Sequence, residues 1–302
     1  MLHYSDNKTL KSIHARSEIE HIMAVPHQII SAKNSQPCMA PVQDTVIGSY
    51  ILSSMDTFLP RHKFFDLTMQ VSTTDREIPP PAIMYRDENG KWQSLYTGKQ
   101  LINYLMPKDL YFSKAVRGFT PEDRADACMD TEERFVTVYD GDILSGRVCK
   151  ATLGTAARGL IHRIHYKHGA WRAAEFISDI QKLISVWFVG RGFSIGMADC
   201  VPSAETTEKV SEVISRSIAA IHEGTRKARE AGVSEERIEG ERSRVAGNIM
   251  TNSARVVLSN VPKTNSILQC VESGAKGKKL NITQILGCKY FYSVSGCCKI
   301  VF

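Results

Sequence analysis

At 302 residues, with 43% hydrophobic and 23% charged side chains, the chain has the composition of a folded protein and room for two domains, which excludes a disordered tail. No apolar run approaches the roughly 20 residues that a bilayer-spanning helix needs, and the start Met1-Leu2-His3-Tyr4 lacks an apolar targeting segment, so no membrane partner is expected. The formal charge of +6, from 38 basic against 32 acidic residues, is mild and fits a nucleic-acid partner without requiring one.

Residues 1–30 are predicted to form a helix ending near Pro26, with Ile13, Ile19, Ile22 and Met23 at helical spacing as its packing face. From about Thr45 to Leu110 a helical stretch gives way to Pro79-Pro80-Pro81, an extended connection, and then to a short helix carrying Gly98-Lys99-Gln100. Thr97-Gly98-Lys99-Gln100 only imitates a phosphate loop, because the spacer, the first glycine and the Ser/Thr after Lys are missing; a helix N-terminus is the plainer reading. An acidic loop follows, then the alternating strand Arg134–Tyr139, the turn Asp140-Gly141 and a partner strand over Ile143–Val148. Asp140 and Asp142 belong to that turn and need no metal.

Gly154 to Gly159 reads as a connecting loop, because Leu160-Ile161 stands where a phosphate loop needs Lys-Ser/Thr. His162, His165 and His168 recur every third residue, but a strand would turn His165 away from the other two, so no zinc site is predicted. Trp171–Val189 is an amphipathic helix with Trp171, Ala174, Ile177, Ile180, Leu183, Ile184, Trp187 and Phe188 on one face, closed by Gly190 and Gly192. Ala204–Met250 has no proline and a sparse apolar seam broken at Gly232-Val233-Ser234, which predicts a wet antiparallel helical hairpin with Ser234 as a cap. Residues 264–272 are helical again. Eight cysteines without any Cys-x-x-Cys pair argue for reduced thiols rather than a zinc ribbon or a disulfide framework.

The most informative run is Ser273-Gly274-Ala275-Lys276-Gly277, followed by Asn281-Ile282-Thr283-Gln284. Flanking glycines permit close backbone approach to an anion, and Lys276 is then the phosphate contact; a solvated basic turn has the same local pattern. The run resembles a signature of the largest subunit of multisubunit DNA-directed RNA polymerases. Other segments resemble that family in the same order: Val25-Pro26, Gln36-Pro37, Pro41–Thr45, Ile78–Ile83, Tyr96–Ile102, Leu153–Thr155, Gly159–His162 and Gly192–Asp199. Together they span about Val25 to Gly287.

The resemblance implies an α+β fold: a mixed pore-type domain of short hairpins and helices, then a funnel-type antiparallel helical hairpin that projects from the body. It divides the chain into residues 1–44, a remnant of the active-site domain, 45–198, a pore-type domain, 199–287, a funnel-type domain, and an atypical tail, 288–302. Lys276 would bind the nucleoside triphosphate, with Ser273, Gly274, Gly277, Asn281 and Gln284 lining the channel. No catalytic or metal-binding residue is expected here, since Mg2+ in the complete polymerase is held by an acidic loop upstream of where this chain begins. Expected partners are the other polymerase subunits or the remaining pieces of the largest subunit, DNA template, RNA and nucleoside triphosphates. Beyond Gly287-Cys288 the resemblance stops, and residues 289–302 read like translation past an interrupted gene. Two other readings stand beside this one: a truncated inactive product, and an independent nucleic-acid-binding or scaffold protein with an α-helical hairpin arm.

Overall fold

A computed structural model describes residues 12–71, 76–88, 90–115 and 135–287, together with the backbone of 291–294 and 297–300. The acidic loop expected after Ala115 lies outside these residues. The chain divides into two units, one from the described residues up to Gly192 with Glu272–Ala275, the other from Phe193–Val271 and the residues from Lys276 onward.

In the first unit the expected N-terminal helix is a short helix, Ile13–Glu18, continued by a wider turn, Ile19–Met23, and a tight turn, Val25–Gln28. Its apolar residues do not form a packing face: Ile13, Ile22 and Met23 are exposed, and Pro26 is the buried residue of this stretch. Helix Asp44–Leu52 is the inner element, with every residue from Thr45 to Leu52 buried. Two serines in or just past it cost nothing in unsatisfied groups, because the hydroxyls of Ser49 and Ser53 each donate to the carbonyl four residues earlier at 2.7 Å. Gly48 lets this helix lie against Leu160–Arg191; a Cβ there would sit 2.2 Å from Ile184 Cγ2.

The sequence between these helices forms two small antiparallel sheets. Strand Trp92–Thr97 pairs with Phe58–Pro60 on one side and Ile83–Arg86 on the other, and Phe135–Tyr139 pairs with Phe112–Ala115 and Asp142–Ser145. The predicted hairpin is present, with Asp140 at φ +50° and Gly141 at φ +76° carrying its two-residue turn. Asp140 accepts the Asp109 N–H at 2.7 Å and Asp142 pairs with the Arg76 guanidinium, so both carboxylates serve the turn. Phe58–Pro60, Ile83–Arg86 and Trp92–Thr97 were not legible in the segment read as helical and proline-rich, nor was Phe112–Ala115 in the one read as an acidic loop. Helix Gly98–Leu105 starts on a full capping box: Gln100 N–H donates to Thr97 Oγ1 at 3.2 Å and Thr97 N–H to Gln100 Oε1 at 2.9 Å. Phe64 stacks on Tyr96 at 4.2 Å beneath it.

Helix Leu160–Arg191 runs earlier than expected, taking in His162, His165 and His168, and bends at Gly169 (φ +88°). The histidine segment is therefore helical, not a strand. The buried face is Ala173, Phe176, Asp179, Ile180, Leu183, Ile184 and Trp187. The predicted stripe was right in its second half and out of phase in its first, since Trp171 is 58% exposed while Ala173 and Phe176 are fully buried. Gly192 (φ +73°) closes the helix with its N–H on the Phe188 carbonyl at 2.8 Å.

The second unit is built on the expected hairpin, Ala204–Glu230 and Glu235–Asn260, turned at Gly232 (φ +68°). Its return helix runs ten residues past the predicted Met250. Ser203 caps the first helix through Thr206 N–H at 3.2 Å, whereas Ser234 makes no side-chain cap. Most of the seam is half-buried; the core lies at one end, where Val210 and Val257 meet Ile267, Leu268, Ile282 and Leu286 from helices Ser266–Glu272 and Lys279–Leu286. Surface ion pairs at helical spacing dress the hairpin, including Lys209–Glu205 at 2.6 Å, Arg226–Glu230 at 2.8 Å and Arg226–Glu223 at 2.9 Å. In the tail, Phe291–Val294 pairs antiparallel with Cys297–Ile300.

With Ile238 the buried apolar side chain near the turn and the main cluster at the other end of the hairpin, the tip backbone opens more readily than that of a buried helix. Limited trypsinolysis is expected to cut after Lys227 or Arg229 well before Lys182, whose neighbours Leu183 and Ile184 are buried. Equal rates at the two places would contradict this.

Candidate functional site

Helix Ser266–Glu272 leads directly into the run singled out by sequence. Ser273 is fully buried and its carbonyl accepts the Lys150 N–H at 2.8 Å. Gly274 takes φ +74°, and a Cβ on it would meet the Lys150 side chain at 3.0 Å. One residue earlier, Glu272 accepts the Tyr50 hydroxyl at 2.8 Å, and the Arg147 guanidinium lies 5.3 Å over the Tyr50 ring. Burial, then the Glu272 charge, push the Tyr50 hydroxyl well above its ordinary range, so it stays a protonated donor. These contacts all lie within the first unit. The Tyr50–Glu272 bond joins residues 222 apart in sequence, and no local pattern signals it.

The chain passes into the second unit between Ala275 and Lys276. Lys276 N–H reaches the Cys270 carbonyl at 3.3 Å, and its side chain is exposed with no carboxylate partner among the described residues. Gly277 takes φ +85°, where a Cβ would press on Val271 Cγ2 at 3.1 Å. Asn281 is occupied locally: its Oδ1 accepts the Lys278 N–H at 2.7 Å and fixes the start of helix Lys279–Leu286. Ile282 and Thr283 are buried, and Gln284 is half-buried. Both glycines are thus required by the turn's own backbone, since positive φ is strained for residues with a Cβ. Lys276 is the residue of the run whose functional end the fold leaves unused.

The motif Gly192–Asp199 also has a local structural use. In the second unit Asp199 accepts Gly196 N–H at 2.9 Å and Ser266 N–H at 3.0 Å, and these donors hold its carboxyl below the usual carboxylate range. The Asn265 side chain donates to the Asp199 carbonyl at 3.0 Å. Among the described residues no three His, Cys, Asp or Glu side chains converge as a metal site would require, and no helix is long and apolar enough to cross a membrane. Cys38, Cys149 and Cys200 are thiols outside any disulfide.

Residues 28–200, more than half of the chain, match the family described as RNA polymerase Rpb1, domain 3. The chain belongs to the Rpb1 family. A second match, RNA polymerase Rpb1, domain 4, covers residues 218–289 and contains all six site residues named from sequence. Two subunits of Trypanosoma brucei brucei, DNA-directed RNA polymerase II subunit RPB1-B and subunit RPB1-A, are each 30% identical to this chain over 282 residues. Those alignments cover 91% of this chain but 15% of each relative, so the chain corresponds to an internal segment of an Rpb1 largest subunit. The Rpb1 domain 4 match ends two residues beyond Gly287, where the sequence resemblance to the polymerase family also stops.

Proposed function

We propose that this Rpb1 segment forms wall of the pore and funnel through which nucleoside triphosphates reach the catalytic centre of a DNA-directed RNA polymerase, and that Lys276 contacts the incoming triphosphate. The observation that carries this reading is the state of Lys276: exposed, without a carboxylate partner among the described residues, and held in a turn whose two glycines fix the backbone. A cation in that state costs nothing to release from another partner when phosphate oxygens arrive. Ser273, Gly274, Gly277, Asn281 and Gln284 would act through the shape of the turn and the helix after it.

Nucleotidyl transfer needs magnesium to bridge the attacking oxygen and the phosphates. The described residues offer no donor set that fits magnesium, so no catalytic step is assigned to them. Their part is binding and orientation, within a complex with the rest of the largest subunit, the other polymerase subunits, template DNA and RNA. A complete Rpb1-type largest subunit carrying residues 25–287 of this chain in place of its own segment is expected to assemble and to support templated RNA synthesis, whereas the 302-residue chain alone yields none. Synthesis by the isolated chain, or an exchanged subunit that fails to bind its partner subunits, would overturn the reading.

A further inference from the structure

The net charge is mild as a total but not as a distribution. Between Asp142 and Glu175 there is no acidic residue, while Arg147, Lys150, Arg158, Arg163, Lys167 and Arg172 fall in that interval. Six cations there equal the whole +6 of the chain, and the remaining 32 basic residues balance 32 acidic ones. This concentration is what a diffuse count hides.

The fold sorts these cations. Arg147 lies over Tyr50, and Arg172 donates to the Leu105 carbonyl at 2.9 Å. Lys150, Arg158, Arg163 and Lys167 are exposed, and none of the four pairs with a carboxylate among the described residues. Lys167 donates to the Asp109 carbonyl and lies 5.3 Å over the Tyr111 ring, which fixes its ammonium without neutralising it. The hairpin of the second unit is the contrast, because Arg216, Arg226, Lys227, Arg229 and Arg244 each sit on a glutamate. Within the Leu160–His168 half of the long helix, Leu160, Ile161 and Ile164 are buried. Arg163, Tyr166 and Lys167 share the exposed side at spacings of three and four, just past Arg158, and Tyr166 is 85% exposed. Cations flanking a bare aromatic ring supply the two elements that bind an unpaired strand: phosphate contacts along the backbone and a stacking surface for a base.

From this arrangement we infer that the outer face of the Leu160–His168 helix, with Arg158, Arg163, Tyr166 and Lys167, binds single-stranded nucleic acid. None of these residues belongs to the turn at Lys276, and the test does not depend on the channel reading. A duplex would occupy the cations but leave Tyr166 without a base face, which favours the unpaired strand.

The test uses the purified 302-residue chain and a fluorescein-labelled oligothymidylate of about 20 nucleotides, followed by anisotropy between about 50 and 200 mM salt. Arg163→Ala with Lys167→Ala is expected to weaken binding at least about fivefold and to flatten the log–log salt dependence by about 1.4, at about 0.7 per lost phosphate contact. Tyr166→Ala is expected to weaken binding about fivefold or more with the salt slope unchanged, the mark of a stacking contact. Arg226→Ala with Arg244→Ala on the hairpin is expected to change neither quantity. The exposed positions should leave the melting temperature where it was; if the alanine pair melts early, Arg163→Gln with Lys167→Gln takes its place. The inference fails if the hairpin pair weakens binding as much as the helix pair, if polyglutamate displaces the oligonucleotide as well as unlabelled strand does, or if duplex of the same length binds more tightly.

Discussion

Gly98→Ala is expected to lower the melting temperature of the first unit by roughly 6–12 °C, corresponding to about 3 kcal/mol at the entropy of unfolding of a unit this size. The cause is steric and local. A Cβ on Gly98 would stand 1.9 Å from the Leu52 carbonyl oxygen and 2.8 Å from Leu52 Cδ1. Leu52 is itself fully buried at the end of helix Asp44–Leu52, so it has nowhere to retreat, and the Thr97–Gln100 capping box pins Gly98 from its own side. Gly190→Ala is the matched control: no atom lies within 4 Å of its Cβ position, and alanine in a helix gains about 0.5–1 kcal/mol over glycine. Thermal denaturation followed by circular dichroism separates the two. A Gly98→Ala variant that melts with the parent would remove the structural explanation of Thr97-Gly98-Lys99-Gln100 and return that motif to consideration as a ligand loop.

How much of this was legible in sequence depends on how local the cause is. The hairpin at Asp140-Gly141 was, because two successive positive-φ residues announce themselves in four letters. The helical pair from Ala204 was as well, through the lack of proline and the charged i,i+4 spacing. Helix Gly98–Leu105 was placed correctly as a helix start, although the reason for its glycine lies in Leu52, 46 residues away in sequence and invisible there. The strands Phe58–Pro60 and Phe112–Ala115 are too short to show a period, and each is defined by its partner rather than by its own residues. The phase of the long helix was misread because Trp171 drew the apolar stripe toward itself, while the helix breaks at Gly169 and packs through the small Ala173 instead.

The site shows the same division. Lys276, Gly274 and Gly277 were singled out by their spacing together with the family resemblance, and the fold gives both glycines a positive φ. Tyr50, which donates to Glu272 at the head of the run, and Arg147, which lies over the Tyr50 ring, were missed for want of any local signal. Asn281, expected to line a channel, has its side-chain oxygen committed to the start of its own helix.

The second large effect belongs to Lys276→Ala in an assembled polymerase carrying this segment. Loss of one charge-assisted phosphate contact is expected to cost about 1–3 kcal/mol, or roughly tenfold to a hundredfold in kcat/KM for nucleotide addition. Lys278 and Lys279 are also exposed and neighbour it in sequence, so Lys278→Ala and Lys279→Ala are the controls that separate a positioned cation from a basic turn. Folding should be little affected, since Lys276 is exposed. Single-nucleotide addition at limiting triphosphate is the direct measurement: the account predicts a raised KM and slowed addition for Lys276→Ala alone, and three alanine variants that all elongate at the parental rate would contradict it.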